Sequence, residues 1–103
     1  MATSVTSRIS NEKGVLSLSG RFDFSIHRDF RANYESLLNS KDVHEIEVDL
    51  SGVDYIDSSA LGMLLLLREK ATEKNIQMTL INPKEAVRQV LEVANFGRLF
   101  NIA

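Results

Sequence analysis

The sequence predicts a two-layer α/β domain with a mixed, mainly parallel sheet and its helices on one face. Three observations carry that expectation. Strand-like and helix-like segments alternate in the order ββαβαβα with a short final strand, which puts helical crossovers between strands. The segment His44 to Leu50 alternates strictly, with Ile46, Val48 and Leu50 on one side and Glu45, Glu47 and Asp49 on the other, so one sheet face is wet and Glu45 and Glu47 are expected to be exposed. Finally, 103 residues with 44% apolar side chains are enough for one core but too few for two, and no linker or repeat interrupts them. One domain over residues 1–103 is expected.

The elements follow in order. Val5, Ser7 and Ile9 alternate with polar neighbours, and beyond Asn11-Glu12-Lys13-Gly14 the run Val15 to Ser19 has strand composition, predicting a hairpin whose second strand ends at Gly20. From Ser25 the period changes: Ile26, Phe30, Tyr34, Leu37 and Leu38 lie opposite His27, Arg28, Arg31 and Glu35, predicting an amphipathic helix capped by Ser25. A second helix is expected from Ser58 to about Lys74, because Asp57 and Ser58 are cap residues and neither proline nor a β-branched run interrupts the leucines. Asn75 stops it. Ile76 to Ile81 reads as a strand, and Asn82-Pro83-Lys84-Glu85 as the start of a third helix, with asparagine at the cap and proline at the first position. Val87, Val90, Leu91 and Ala94 form its buried stripe. Phe96-Gly97 then turns the chain into a short strand within Leu99 to Ile102.

Composition removes several classes of function. With no cysteine there is no thiolate catalysis, iron–sulfur cluster, cysteine zinc site or disulfide. Twelve basic and fourteen acidic residues, spread along the chain, leave no footprint for direct nucleic-acid binding. Asp49, Asp54 and Asp57 show no ligand spacing for a metal, and no glycine-rich phosphate loop is visible, so no cofactor is expected. The first ten residues hold no apolar stretch of signal-peptide length. The longest apolar run, Met63 to Leu67, falls far short of the ~20 residues that cross a bilayer. A cytoplasmic protein without membrane insertion is expected. A serine hydrolase needs Gly-x-Ser-x-Gly, but Ile56, Asp57, Ser59 and Ala60 surround Ser58, and only His27 and His44 offer a base. The expectation is no enzyme and no catalytic residue.

The informative stretch is Asp57-Ser58-Ser59-Ala60-Leu61-Gly62-Met63. A serine at a helix N-terminus lies near unpaired N–H groups and the positive end of the dipole, so a phosphate there is locally stabilised while its charge opposes an apolar partner. The plain alternative is that Asp57 and Ser58 only cap the helix, and the two roles are compatible. Gly62 inside a helix costs about 0.8–1 kcal/mol against alanine and calls for close approach, either by a partner or by internal packing. Leucines surround most of the helix, so Met63 and at least one of Leu66 and Leu67 are expected at the surface.

Asp57-Ser58-Ser59-Ala60-Leu61-Gly62 resembles the D-S-[ST]-[GA]-L-G signature of STAS domains, the fold of bacterial anti-sigma-factor antagonists. The resemblance extends over nearly the whole chain. Gly20-Arg21-Phe22-Asp23 matches the family's turn before its first helix, Val48-Asp49-Leu50-Ser51 its third strand, and Leu91-Glu92-Val93-Ala94-Asn95-Phe96 a later segment. It implies phosphorylation at Ser58 by a partner serine kinase that is also an anti-sigma factor, and reversal by a serine phosphatase. It implies a partner surface of Asp23, Asp57, Ser59, Leu61, Gly62, Met63 and Leu66. Some relatives switch biofilm or motility pathways instead. A different reading of the resemblance is a regulatory STAS subunit of a membrane transporter, using the same face without phosphorylation.

Overall fold

The computed structural model describes residues 3–103. Its strands are β1 (Ser4–Ser10), β2 (Lys13–Phe22), β3 (Glu45–Ile56), β4 (Gln77–Ile81) and β5 (Asn101–Ile102), and its helices α1 (His27–Leu38), α2 (Ser58–Glu73) and α3 (Glu85–Val93). They form one five-stranded sheet in sequence order, with β1 antiparallel to β2 and every later pairing parallel. The expected α/β architecture is found. Each parallel pair is spanned by one helix, and Phe30, Tyr34 and Leu37 of α1, Leu64 and Leu67 of α2 and Val87 and Leu91 of α3 share one apolar cluster with Leu16, Ile46, Val48 and Leu80 of the sheet. Burying each such leucine contributes about 1.5–3 kcal/mol.

The wet face is less open than the alternation suggested. Ile46 and Val48 are fully buried as expected, but Glu45 and Glu47 are half-buried rather than exposed, because β3 is the central strand and its neighbours shade both sides. Lys13 of β2 meets Glu47 at 3.0 Å, and the Glu47 carboxylate, hydrogen-bonded to it, holds the Lys13 ammonium above its usual range.

Several boundaries differ from the sequence reading for local reasons. The hairpin turn is only Asn11 and Glu12, both at positive φ (50° and 67°), so Gly14 lies inside β2 and not in a loop. A Cβ there would come within 3.0 Å of Leu37. Gly20, at φ 81°, does not end β2 but marks an irregularity within it, and the strand runs on to Phe22. β3 likewise continues past Leu50 to Ile56. Gly52 permits this, since a Cβ there would lie 2.8 Å from the Leu18 carbonyl oxygen of the neighbouring strand. The third helix begins at Glu85, not at Pro83. Asn82 is left-handed (φ 57°) and donates its N–H to the Ala103 carbonyl, so it closes a turn instead of capping a helix. Asn75 does stop α2: at φ 59° it allows Ile76 N–H to reach the Ala71 carbonyl and its own N–H to reach that of Thr72, which satisfies the orphan carbonyls of the last turn.

Candidate functional site

The register of β2 on β3 pairs Arg21 with Tyr55 and Phe22 with Ile56, so the two strands end side by side and deliver Asp23 and Asp57 to the same end of the sheet. Each aspartate then caps the element that follows. Asp57 Oδ1 accepts from the Ala60 N–H (3.0 Å) and from the Ser59 hydroxyl (2.6 Å), which starts α2 at Ser58. Asp23 Oδ1 accepts from both the N–H and the hydroxyl of Ser25, starting a 3₁₀ turn, Phe24–Ile26, that leads into α1. Ser25 therefore does not cap the first helix: it donates to Asp23, which caps the 3₁₀ turn, and α1 itself starts after Ile26 with no side-chain cap.

The Ser25 hydroxyl, then its N–H, and last the adjacent Arg21 guanidinium hold the Asp23 carboxyl below its ordinary range. A depressed folded pKa contributes stability that is complete above the unfolded value, near 3.8, and is lost as pH falls through the lower folded value. Asparagine caps without titrating. Thermal melts between about pH 5 and pH 2 should therefore show Asp23→Asn losing less stability on acidification than wild type. Equal slopes would remove this role.

On α2, Ala60, Leu64, Leu67 and Ala71 face the core, which turns Ser58, Gly62, Leu65 and Leu66 outward at helical spacing. Ser58 is exposed at the first helical position, one turn before Gly62, while Ser59 is half-buried with its hydroxyl engaged by Asp57. Nothing lies within 4 Å of a Cβ placed on Gly62, so internal packing does not explain the glycine. Leu66 is 46% exposed, as expected of one of the pair, and Leu67 is buried. Met63, expected at the surface, is half-buried because α1 packs alongside it. Leu61 is half-buried on the opposite flank.

An apolar groove opens on either side of this face. One, of about 510 Å³, is lined by Ser58 and Leu61 of α2 and by Gln89, Val90 and Val93 of α3. The other, of about 160 Å³, lies between α1 and α2 and is lined by Phe24, His27, Met63 and Leu66. Among the described residues, no cluster of acidic or histidine side chains is arranged to hold a metal, and no helix is long and apolar enough to cross a membrane.

A family model described as "Mlab, STAS domain" matches residues 5–101. The chain belongs to the STAS-domain family. A STAS-domain containing protein of Pseudomonas aeruginosa is 41% identical over the full length of both chains. Among solved structures, a putative anti-sigma factor antagonist from Thermotoga maritima superposes with a TM-score of 0.84 at 23% identity, covering 95% of this chain and 84% of that one. The anti-sigma factor antagonist SpoIIAA, solved in unphosphorylated and phosphorylated forms, gives TM-scores of 0.73 and 0.72 at 20% and 22% identity, covering 99% of this chain and 87% or 91% of that one. The fold also occurs in a sulfate transporter family protein from Wolinella succinogenes (TM-score 0.76, 13% identity, 91% of this chain and 75% of that one).

This STAS domain brings Asp23, Asp57, Ser58 and Ser59 to one end of the sheet and sets Leu61, Gly62, Met63 and Leu66 along the helix beside it. Two exposed groups escaped the sequence reading. Phe24 is 61% exposed and stacks flat on His27 at 4.1 Å, where the His27 Nδ1–H also donates to the Phe24 carbonyl. Val93 is 84% exposed on the rim of the larger groove. The signal for Phe24 was its place directly after Asp23; Val93 gave none, since it lies among the apolar residues of a helix whose other side is buried.

Proposed function

We propose that this STAS domain is a cytoplasmic partner-switch regulator of the anti-sigma-factor-antagonist kind. Unmodified, the outward face of α2 and the Asp23–Phe24 turn bind a kinase-type inhibitory protein; phosphorylation of Ser58 by that partner releases it, and a serine phosphatase resets the switch. The domain catalyses nothing itself. The observation that carries this reading is Gly62, an exposed helical glycine with no internal neighbour, one turn from an exposed serine at a helix start. Glycine there lets a partner backbone approach Ser58 closely. A phosphate on Ser58 is tolerated by the helix, since it meets the N-terminal dipole, yet its charge of about −1.5 to −2 stands on the lining of the larger apolar groove. Ser59 is the poorer acceptor, because its hydroxyl is held by Asp57.

The test is phosphate mapping. Incubated with ATP and an extract of its own cells, the protein is expected to carry phosphate on Ser58 and not on Ser59; phosphate at other positions, or none, overturns the switch. Gly62→Ala adds an independent check: it should raise stability by about 1 kcal/mol while weakening capture of the partner. The second reading, a non-phosphorylated STAS subunit of a membrane transporter, is favoured by the fold shared with the sulfate transporter family protein. It predicts a partner bound equally by wild type and Ser58→Ala, with no phosphate transferred.

A further inference from the structure

We propose that the outer edge of β1 is a self-association site, where a second copy of this chain adds its own β1 antiparallel and joins the two five-stranded sheets edge to edge. β1 has a single neighbour, β2, so its other side is a row of unpaired backbone groups. The turn determines which groups these are. Ser10 and Lys13 flank a two-residue turn, and such flanking residues exchange both backbone hydrogen bonds, with the pattern alternating from there. Ser4, Thr6, Arg8 and Ser10 therefore direct their N–H and C=O at β2, and Val5, Ser7 and Ile9 direct theirs outward. The edge lacks the usual protections. It is seven residues long, contains no proline, pairs with β2 without a bulge and carries one charge, Arg8.

The edge is also complementary to itself. A two-fold pairing centred on Ser7 sets Ser7 against Ser7, Val5 against Ile9 and Thr6 against Arg8 of the second copy. All three outward residues of each strand then form hydrogen bonds. Ile9, a large apolar side chain left 49% exposed on the helix side of the sheet, is covered by Val5 of the second copy, and no like charges meet. Centring on Arg8 would oppose two guanidinium groups, and centring on Thr6 would leave Ile9 opposite Thr3, beyond the strand's end. Helix α1 packs over this edge, so its flank would lie beside that of the second copy across the axis. Ser7 Oγ donates to Asn33 Oδ1 at 2.8 Å, which places Asn33 of α1 beside the two-fold axis. The same flank carries the short side chains Asp29 and Ser36, so Asp29 of one copy lies towards Ser36 of the other and away from its Asp29. None of these residues belongs to the α2 face, so this dimer and the partner switch stand or fall separately.

The chain has no cysteine, so an introduced thiol reports cleanly. Facing residues of a hydrogen-bonded antiparallel pair have Cα atoms about 5.5 Å apart, within disulfide reach. Under mild oxidation Ser7→Cys is expected to form a linked dimer, while Thr6→Cys, which faces Arg8, stays single. In sedimentation, wild type is expected to show a concentration-dependent dimer that Ile9→Lys shifts to monomer with an unchanged circular dichroism spectrum. A wild type that stays monomeric up to millimolar concentration, a Ser7→Cys that does not link, or a Thr6→Cys that links equally well overturns the proposal.

Discussion

Leu64→Ala is expected to cost about 2–5 kcal/mol of folding stability and to lower the melting temperature by roughly 10 °C or more, whereas Leu66→Ala, two residues along the same helix, should cost about 1 kcal/mol or less. The chemistry of the substitution is identical; the surroundings differ. Leu64 is fully buried against the sheet, so alanine leaves a cavity lined by side chains that are themselves anchored in one cluster, while Leu66 is nearly half in water already. For a small domain with about 5–15 kcal/mol in total, the first change approaches global failure. Thermal melts of both variants provide the check. On the proposed function the order reverses for binding: Leu66→Ala folds normally and captures less of the partner. Equal destabilisation by the two would mean that the outward face of α2 is covered.

Ser58→Asp should weaken partner binding by roughly a hundredfold while leaving the fold intact or slightly firmer, and Ser58→Ala should bind as wild type does. The two effects of one carboxylate have opposite signs. At the first position of α2 it interacts favourably with the dipole, by about 0.3–1 kcal/mol. In an interface over the apolar lining of the larger groove it must lose its water, which costs several kcal/mol unless a cation meets it, and about 1.4 kcal/mol is a tenfold loss of affinity. Alanine removes a hydroxyl that is not the cap, since Asp57 holds the Ala60 N–H. Affinity capture with the three proteins, paired with melting curves, tests both halves. Identical capture by the aspartate and alanine variants would remove Ser58 from the interface.

The capping of α2 was legible in the sequence because its parts are adjacent: an aspartate, two serines and a run of leucines have few other uses in that order. The features that were not legible depend on distant parts of the chain. Asn82-Pro83 looks like a helix start until the Ala103 carbonyl is brought to the asparagine N–H. Ser51-Gly52 looks like the end of a strand until Leu18 lies alongside and makes glycine a requirement of continued pairing. Glu47 looks exposed until Lys13, thirty-four residues earlier, is set beside it in parallel register. The burial of Met63 likewise depends on α1. For the site, the outward stripe of α2 could be read from helical period, but the grooves flanking it could not, since each is shared with another helix.

The strand order has a consequence for how the chain comes into being. Because every strand pairs with the one before it in sequence, no strand must be inserted between two others, and the sheet can be assembled as the polypeptide leaves the ribosome. The hairpin closes first, with contacts that are local. Each later helix-and-strand unit then docks on an edge that already exists, which keeps loop closure short and suits folding on the intermediate timescale of mixed α/β domains. Growth proceeds from one side only, so the β1 edge is present in the nascent chain from the first docking step, before α2 and its serine have taken their place on the sheet.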